Sequence, residues 1–131
     1  MATIITRIIK GEIPCYKIYE DENYFAFLDI NPLQKGHTLV IPKKEDDYIF
    51  NLDDATYSGL MMTAKKIAAA IKESTNCKRV GVTVLGMEVP HVHIHLVPMN
   101  SEKDMLFSNP KMELSKEEFE AIAADIAKRV K

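Results

Sequence analysis

Between Pro90 and Pro98 the chain reads His91-Val92-His93-Ile94-His95-Leu96-Val97, an alternation with a period of two. An extended strand turns successive side chains to opposite faces, so the segment fits a strand with one imidazole face and one apolar face. A helix would scatter the same residues around its circumference. The expectation is a strand over residues 91–97. His91, His93 and His95 would stand in a row with Cα atoms ~6.6–6.8 Å apart, and Val92, Ile94 and Leu96 would turn toward a core.

The rest of the chain supplies partners for such a strand. Residues 15–20 and 24–29 alternate and carry Tyr, Ile and Phe around the polar Asp21-Glu22-Asn23, a hairpin pattern. His37 to Ile41 is β-prone and follows the turn residues Asn31-Pro32 and Lys35-Gly36. Residues 79–85 read as a further strand, joined to 91–97 by a loop around Gly86. Three helices are expected. A short one covers 3–9 and is ended by Gly11 and Ile13-Pro14. A long one runs from Asp53 to about Glu73, capped by Asp53 or Asp54, with Leu60, Ala64, Ile67, Ala68 and Ile71 as its apolar stripe. The third opens on the capping box Ser115-Lys116-Glu117-Glu118 and buries Phe119, Ile122, Ala123 and Ile126. Strands grouped around one long helix read as α+β with a mostly antiparallel sheet.

At 131 residues, 47% hydrophobic and 27% charged, the composition fits one globular domain over residues 1–131. A net charge of −2 gives no basic footprint for a nucleic-acid backbone. Cys15 and Cys77 read as buried or incidental thiols, not a disulfide. The apolar N-terminus is cut by Arg7 and Lys10, and no run approaches the ~20 residues that span a bilayer. A cytoplasmic protein without membrane contact is expected.

Three aligned imidazoles are costly as mere structure: charged rings repel, and buried ones each need partners. Two chemistries can use them. One is a metal site, with His91, His93 and His95 as ligands, because His-x-His places two nitrogens on one ion. The other is phosphoryl transfer, with neutral imidazole as nucleophile and a neighbouring ring serving the phosphate and the leaving group. No HExxH or CxxC completes a metal shell, which favours phosphoryl chemistry and predicts no metal and no cofactor.

The segment His91 to Val97 resembles the signature of the histidine triad (HIT) family, His-φ-His-φ-His-φ-φ with φ apolar. Ile9 to Pro14, Phe27 to Pro32 and Gly36 to Lys43 resemble further blocks of that family in family order, so the likeness runs from about residue 3 to 99. The resemblance implies a five-stranded antiparallel sheet with helices packed on it, a homodimer, and a nucleotide substrate such as an AMP or GMP conjugate. It assigns His93 as a nucleophile that becomes covalently nucleotidylated, with His95 on the phosphate and leaving group. His91 and His37 would orient the row. It assigns Asp29 to the ribose hydroxyls, Ile5, Ile8, Ile13, Phe27 and Ile30 to the base, and the loop with Gly86, Glu88 and Val89 to the phosphate.

The chain departs from the family pattern in that loop. Val84-Leu85-Gly86-Met87-Glu88-Val89-Pro90 is short, lacks the usual Asn, has Met87 for Gln, and puts Glu88 where many members carry a phosphate-binding Ser. A carboxylate repels a phosphate unless it is protonated or turned away. Either the activity changes, or Glu88 faces solvent and backbone amides bind the phosphate. The structural zinc site of some bacterial members is not expected, since Thr3-Ile4-Ile5-Thr6 has no CxxC and Lys43-Lys44-Glu45 no histidine. His95 in place of the Gln of the galactose-1-phosphate uridylyltransferase branch favours a hydrolase. Residues 100–131 match no family motif. The resulting expectation is a phosphoramidase-like nucleotidyl hydrolase. The alternatives are a dinucleoside polyphosphate hydrolase, a nucleotide-binding protein with little turnover, and the metal protein.

Overall fold

The computed structural model describes residues 3–131. Five strands form one antiparallel sheet in the order β1-β2-β3-β5-β4: β1 (Lys17–Glu20), β2 (Tyr24–Leu28), β3 (Thr38–Pro42), β4 (Arg79–Thr83) and β5 (Ile94–Met99). Helix α1 (Ile4–Ile9) precedes β1, α2 (Asp54–Thr75) connects β3 to β4, and α3 (Lys116–Ala127) follows β5. This is the expected α+β fold.

Alternation along the strands sorts the side chains between two covers. Ala26, Leu28, Val40, Ile94 and Leu96 face Leu60, Ile67 and Ile71 of α2 and Phe119 and Ile126 of α3, forming the main core. The other face carries Phe25, Phe27 and Ile41, covered by Ile5 of α1 with Ile8 and Ile9 beside it. Cover on both sides explains why all five residues of β2 are buried.

The caps form as their residue types require. Asp53 accepts the Thr56 amide at the start of α2, and Asn76, in the left-handed region at φ 57°, ends it two residues past Glu73. At α3, Ser115 and Glu118 exchange hydrogen bonds with each other's backbone amides. Helix α3 packs on α2 and β1, with Phe119 stacked on Tyr16 at 4.8 Å between ring centroids. The C-terminal helix therefore covers the β1 end of the sheet. Cys15 and Cys77 are free thiols. Among the described residues no helix is long and apolar enough to cross a membrane.

The strand bounds differ from expectation at the histidine end. Residues 91–93 lie outside β5, which starts at Ile94 and runs on to Met99. The cause is Pro42. The last pair between β3 and β5 is Val40–Ile94, and Pro42 has no amide hydrogen to extend the ladder. Instead the Val92 amide donates to the Asp46 carbonyl at 2.7 Å, on the segment after β3. Similarly β4 stops at Thr83 and β2 at Leu28, so Val84, Leu85 and Asp29 lie just beyond their strands.

Gly59, in the second turn of α2, is covered by a ring. A Cβ at this position would overlap Tyr24 Oη, whose hydroxyl donates to the Thr56 carbonyl at 3.0 Å. Alanine is intrinsically the better helix former by ~1 kcal/mol, yet Gly59→Ala is expected to destabilise the fold by about 1–3 kcal/mol through overpacking. Urea denaturation would read this as a lower midpoint, and an unchanged or raised midpoint would show that the ring moves aside freely.

Candidate active site

On the α1 face of the sheet, register brings four ionisable side chains together. Leu39 lies opposite His95, so His37, two residues earlier, is a diagonal neighbour of His95 on the same face. The Asp29 amide donates to the His37 carbonyl at 3.0 Å, which extends the β2–β3 ladder by one step and sets Asp29 beside His37. His93 precedes β5 on the face of His95, with the two ring centroids 5.0 Å apart. All four histidines are buried: His37 and His91 are 1% exposed, His95 7% and His93 8%.

The hydrogen bonds fix which nitrogen carries each proton. The Leu33 amide donates to His37 Nδ1 at 3.0 Å, so the single proton of the neutral His37 ring sits on Nε2. That Nε2–H faces His95 Nδ1 at 3.0 Å, making His95 Nδ1 the acceptor and placing its proton on Nε2. Both rings are held neutral. Burial pushes His37 down to about 3, helped by His95 and Lys111, and pushes His95 down to about 4, helped by His93.

His93 Nδ1 lies 2.6 Å from the His91 carbonyl, which can only accept. The proton is therefore on Nδ1, and neutral His93 keeps a lone pair on Nε2. His91 donates Nε2–H to the Pro42 carbonyl at 2.8 Å, and its buried Nδ1 has no partner among the described residues. Burial lowers the His91 pKa against the opposing pull of the Pro42 carbonyl and Glu45. Bonded to Pro42 outside the ladder, His91 braces the turn that presents His93.

Asp29 is half-buried. One carboxylate oxygen accepts the Asn31 amide at 2.8 Å, and the other lies 3.6 Å from His37 Nε2. Burial raises its pKa, while the Asn31 amide and the charges of His93 and Lys111 lower it. The carboxylate thus keeps acceptor capacity beside the histidines. Ile5 and Phe27 share one apolar cluster, with Ile8 and Val89 packed against it. Ile13 is half-buried outside that cluster, and Ile30 is 64% exposed. The structure therefore packs Ile5, Ile8 and Phe27 together and leaves Ile30 exposed. Gly86 adopts the left-handed region at φ 69°, and Glu88 is exposed.

Asp29, His37 and His95 each offer one ligand atom within 4.8 Å of the others, a different set from His91, His93 and His95. The Leu33 amide argues against a metal on this set. It occupies the Nδ1 lone pair of His37, so Nε2 can bind a metal only by losing the ring's one proton or breaking that bond. Two participants had no signal in the sequence. Leu33 acts through its backbone amide, which residue type does not reveal. Phe107, in the segment after β5, packs against His95 with ring centroids 4.9 Å apart.

The HIT-domain profile matches residues 10–102. Adenosine 5'-monophosphoramidase hnt1 of Schizosaccharomyces pombe is 35% identical over 133 residues, covering all of both chains. Adenosine 5'-monophosphoramidase HNT1 of Saccharomyces cerevisiae is 40% identical over 106 residues, covering 80% of this chain and 67% of that protein. A hypothetical histidine triad nucleotide-binding protein of Sulfolobus tokodaii superposes with a TM-score of 0.83 at 29% identity, over 97% of this chain and 91% of that one.

Proposed function

The chain belongs to the HIT family, and from that premise we propose that it is a nucleotidyl hydrolase that splits a purine nucleotide conjugate at its α-phosphorus through His93. One hydrogen bond carries the proposal. His93 Nδ1–H on the His91 carbonyl leaves Nε2 as a lone pair on the ring beside His95. His93 Nε2 bonds to the α-phosphorus while the bond to the leaving group breaks. An amine leaving group departs as it takes up a proton from solvent, and the proton lost by the attacking water in the second step returns there. Water then attacks the same phosphorus, releasing the nucleoside monophosphate and restoring neutral His93.

His95 contributes Nε2–H as a neutral donor to a phosphoryl oxygen, fixed in place before the substrate arrives. His37 and the Leu33 amide hold that tautomer. Asp29 accepts from the ribose hydroxyls, and Ile5, Ile8 and Phe27 lie along the base side. The backbone amides of residues 86–89 meet the phosphate in this reading, with the exposed Glu88 carboxylate turned to solvent. A homodimer belongs to the same proposal; a monomer mass in sedimentation would remove that part.

Incubating the protein with adenosine 5'-phosphoramidate in chelator should release AMP at an undiminished rate. Binding of AMP without release of product from the phosphoramidate or from a diadenosine polyphosphate would replace the hydrolase with a nucleotide-binding protein. Release from the polyphosphate alone would move the activity to that class. Loss of release in chelator, restored by added divalent metal, would revive the metal site.

A further inference from the structure

The segment between β5 and α3 returns to the histidine row. After the turn Glu102–Met105, the ring of Phe107 packs edge-on against two imidazoles at once, His95 at 4.9 Å and His37 at 6.1 Å between centroids. Its backbone is clasped from both sides. Lys111 Nζ donates to the Phe107 carbonyl at 2.5 Å and to the Asn109 carbonyl at 3.1 Å, and the Met112 amide donates to the Pro32 carbonyl at 2.9 Å. The Asn109 side chain adds a bond to the Lys103 carbonyl at 2.7 Å. Leu106, next to Phe107, is 51% exposed, while Phe107 itself is half-buried. The segment thus forms a strap pinned at Pro32, close to the Leu33 amide that fixes His37.

We propose that Phe107 is a positioning residue that closes the His37–His95 hydrogen bond against water, so that His95 keeps its Nε2–H toward the substrate. An aromatic edge supplies no hydrogen bond, so His37 Nε2–H stays on His95 Nδ1 at 3.0 Å, with the Asp29 carboxylate farther off at 3.6 Å. Water in that position would compete for both nitrogens and let either ring rotate or take a second proton. The His37–His95 pair is flanked by His93 before β5, Asp29 after β2 and Lys111 on the strap. Of these, Lys111 disfavours charging of His37, His93 disfavours charging of His95, and Asp29 favours charging of His37. Burial under Phe107 acts in the same direction as Lys111, keeping both rings neutral.

The inference rests on the hydrolase reading for its consequence in catalysis, but its first test needs no turnover. Imidazole NMR of the whole protein would follow His95, assigned by the signal missing from His95→Gln. In the wild type the ring should remain neutral to about pH 4–5, and the His37 Nε2 proton should exchange slowly with water. In Phe107→Ala, His95 should titrate about one pH unit higher or more, and the His37 proton should be lost to exchange. Phe107→Leu, which keeps an apolar cover, should stay near the wild type.

The same order should appear in the acid limb of the pH–rate profile if the hydrolase reading holds. A folded Phe107→Ala with the His95 titration of the wild type would overturn the proposal. So would a fast-exchanging His37 proton in the wild type, a result that does not depend on any variant folding. Absent turnover combined with the predicted NMR behaviour would instead leave the proposal standing and defeat the hydrolase reading.

Discussion

His93→Ala should lower release of AMP from adenosine 5'-phosphoramidate by about four orders of magnitude or more, as removal of a covalent nucleophile does elsewhere, while AMP still binds. The expectation follows from the division of labour in the row. Binding contacts proposed for Asp29, Phe27 and Ile5 involve no atom of His93. His95 and His37 keep their shared hydrogen bond without it. What disappears is the single nitrogen with a lone pair set on the ring beside His95. The variant frees the His91 carbonyl, at a cost of ~1–3 kcal/mol if it stays unsolvated, so its folding is checked by circular dichroism. Rapid mixing of wild type with substrate, stopped in denaturant at alkaline pH to protect a P–N bond, should reveal a nucleotidylated protein by mass. The variant should show none. Retention of more than a tenth of the wild-type rate in His93→Ala would place the chemistry on another group.

Most of this site was legible from side-chain periodicity. Alternation across Pro90–Pro98 put His93 and His95 on one face and Ile94 and Leu96 in the core, and the structure has that arrangement. The resemblance added His37 and Asp29, which lie far away in sequence, and strand register brings them beside His95. Period-two reasoning failed at the beginning of the strand because it treats each residue only as a side chain. Pro42 ends the ladder through a missing N–H on a different strand, and residues 91–93 then bond to Pro42 and Asp46.

Tautomers were equally hidden, because they depend on the Leu33 amide and two backbone carbonyls. Phe107 had no motif around it, and its place follows from a turn and a lysine clasp that no periodic pattern announces. Ile30, assigned to the base by the resemblance, is 64% exposed, an apolar side chain open to a ligand.

The second large effect is on stability against acid. His37 and His95 sit at about 3 and about 4 when folded, against ~6.5 in an unfolded chain. Between those values the unfolded chain binds more protons than the native one, so stability falls as the pH falls. The contribution is complete above about pH 6.5 and drains away through pH 5 toward 4. Protonating His95 fills the Nδ1 that accepts from His37, and protonating His37 fills the Nδ1 that accepts the Leu33 amide, so each proton costs a hydrogen bond and the rings titrate as a pair. The loss should reach about 2–3 kcal/mol by pH 4.5 for the first proton alone. Asp29 works the other way: burial raises its pKa, so its protonation in acid favours the native state. Urea denaturation at pH 7.5, 6, 5 and 4.5 should therefore show a midpoint that holds above 6.5 and drops steadily below. His37→Gln, which removes one titrating ring and frees His95 Nδ1 from its donor, should flatten that slope. A wild-type midpoint independent of pH between 7 and 4.5 would mean that these rings are charged or hydrated in the native state, and the neutral donor assigned to His95 would go with it.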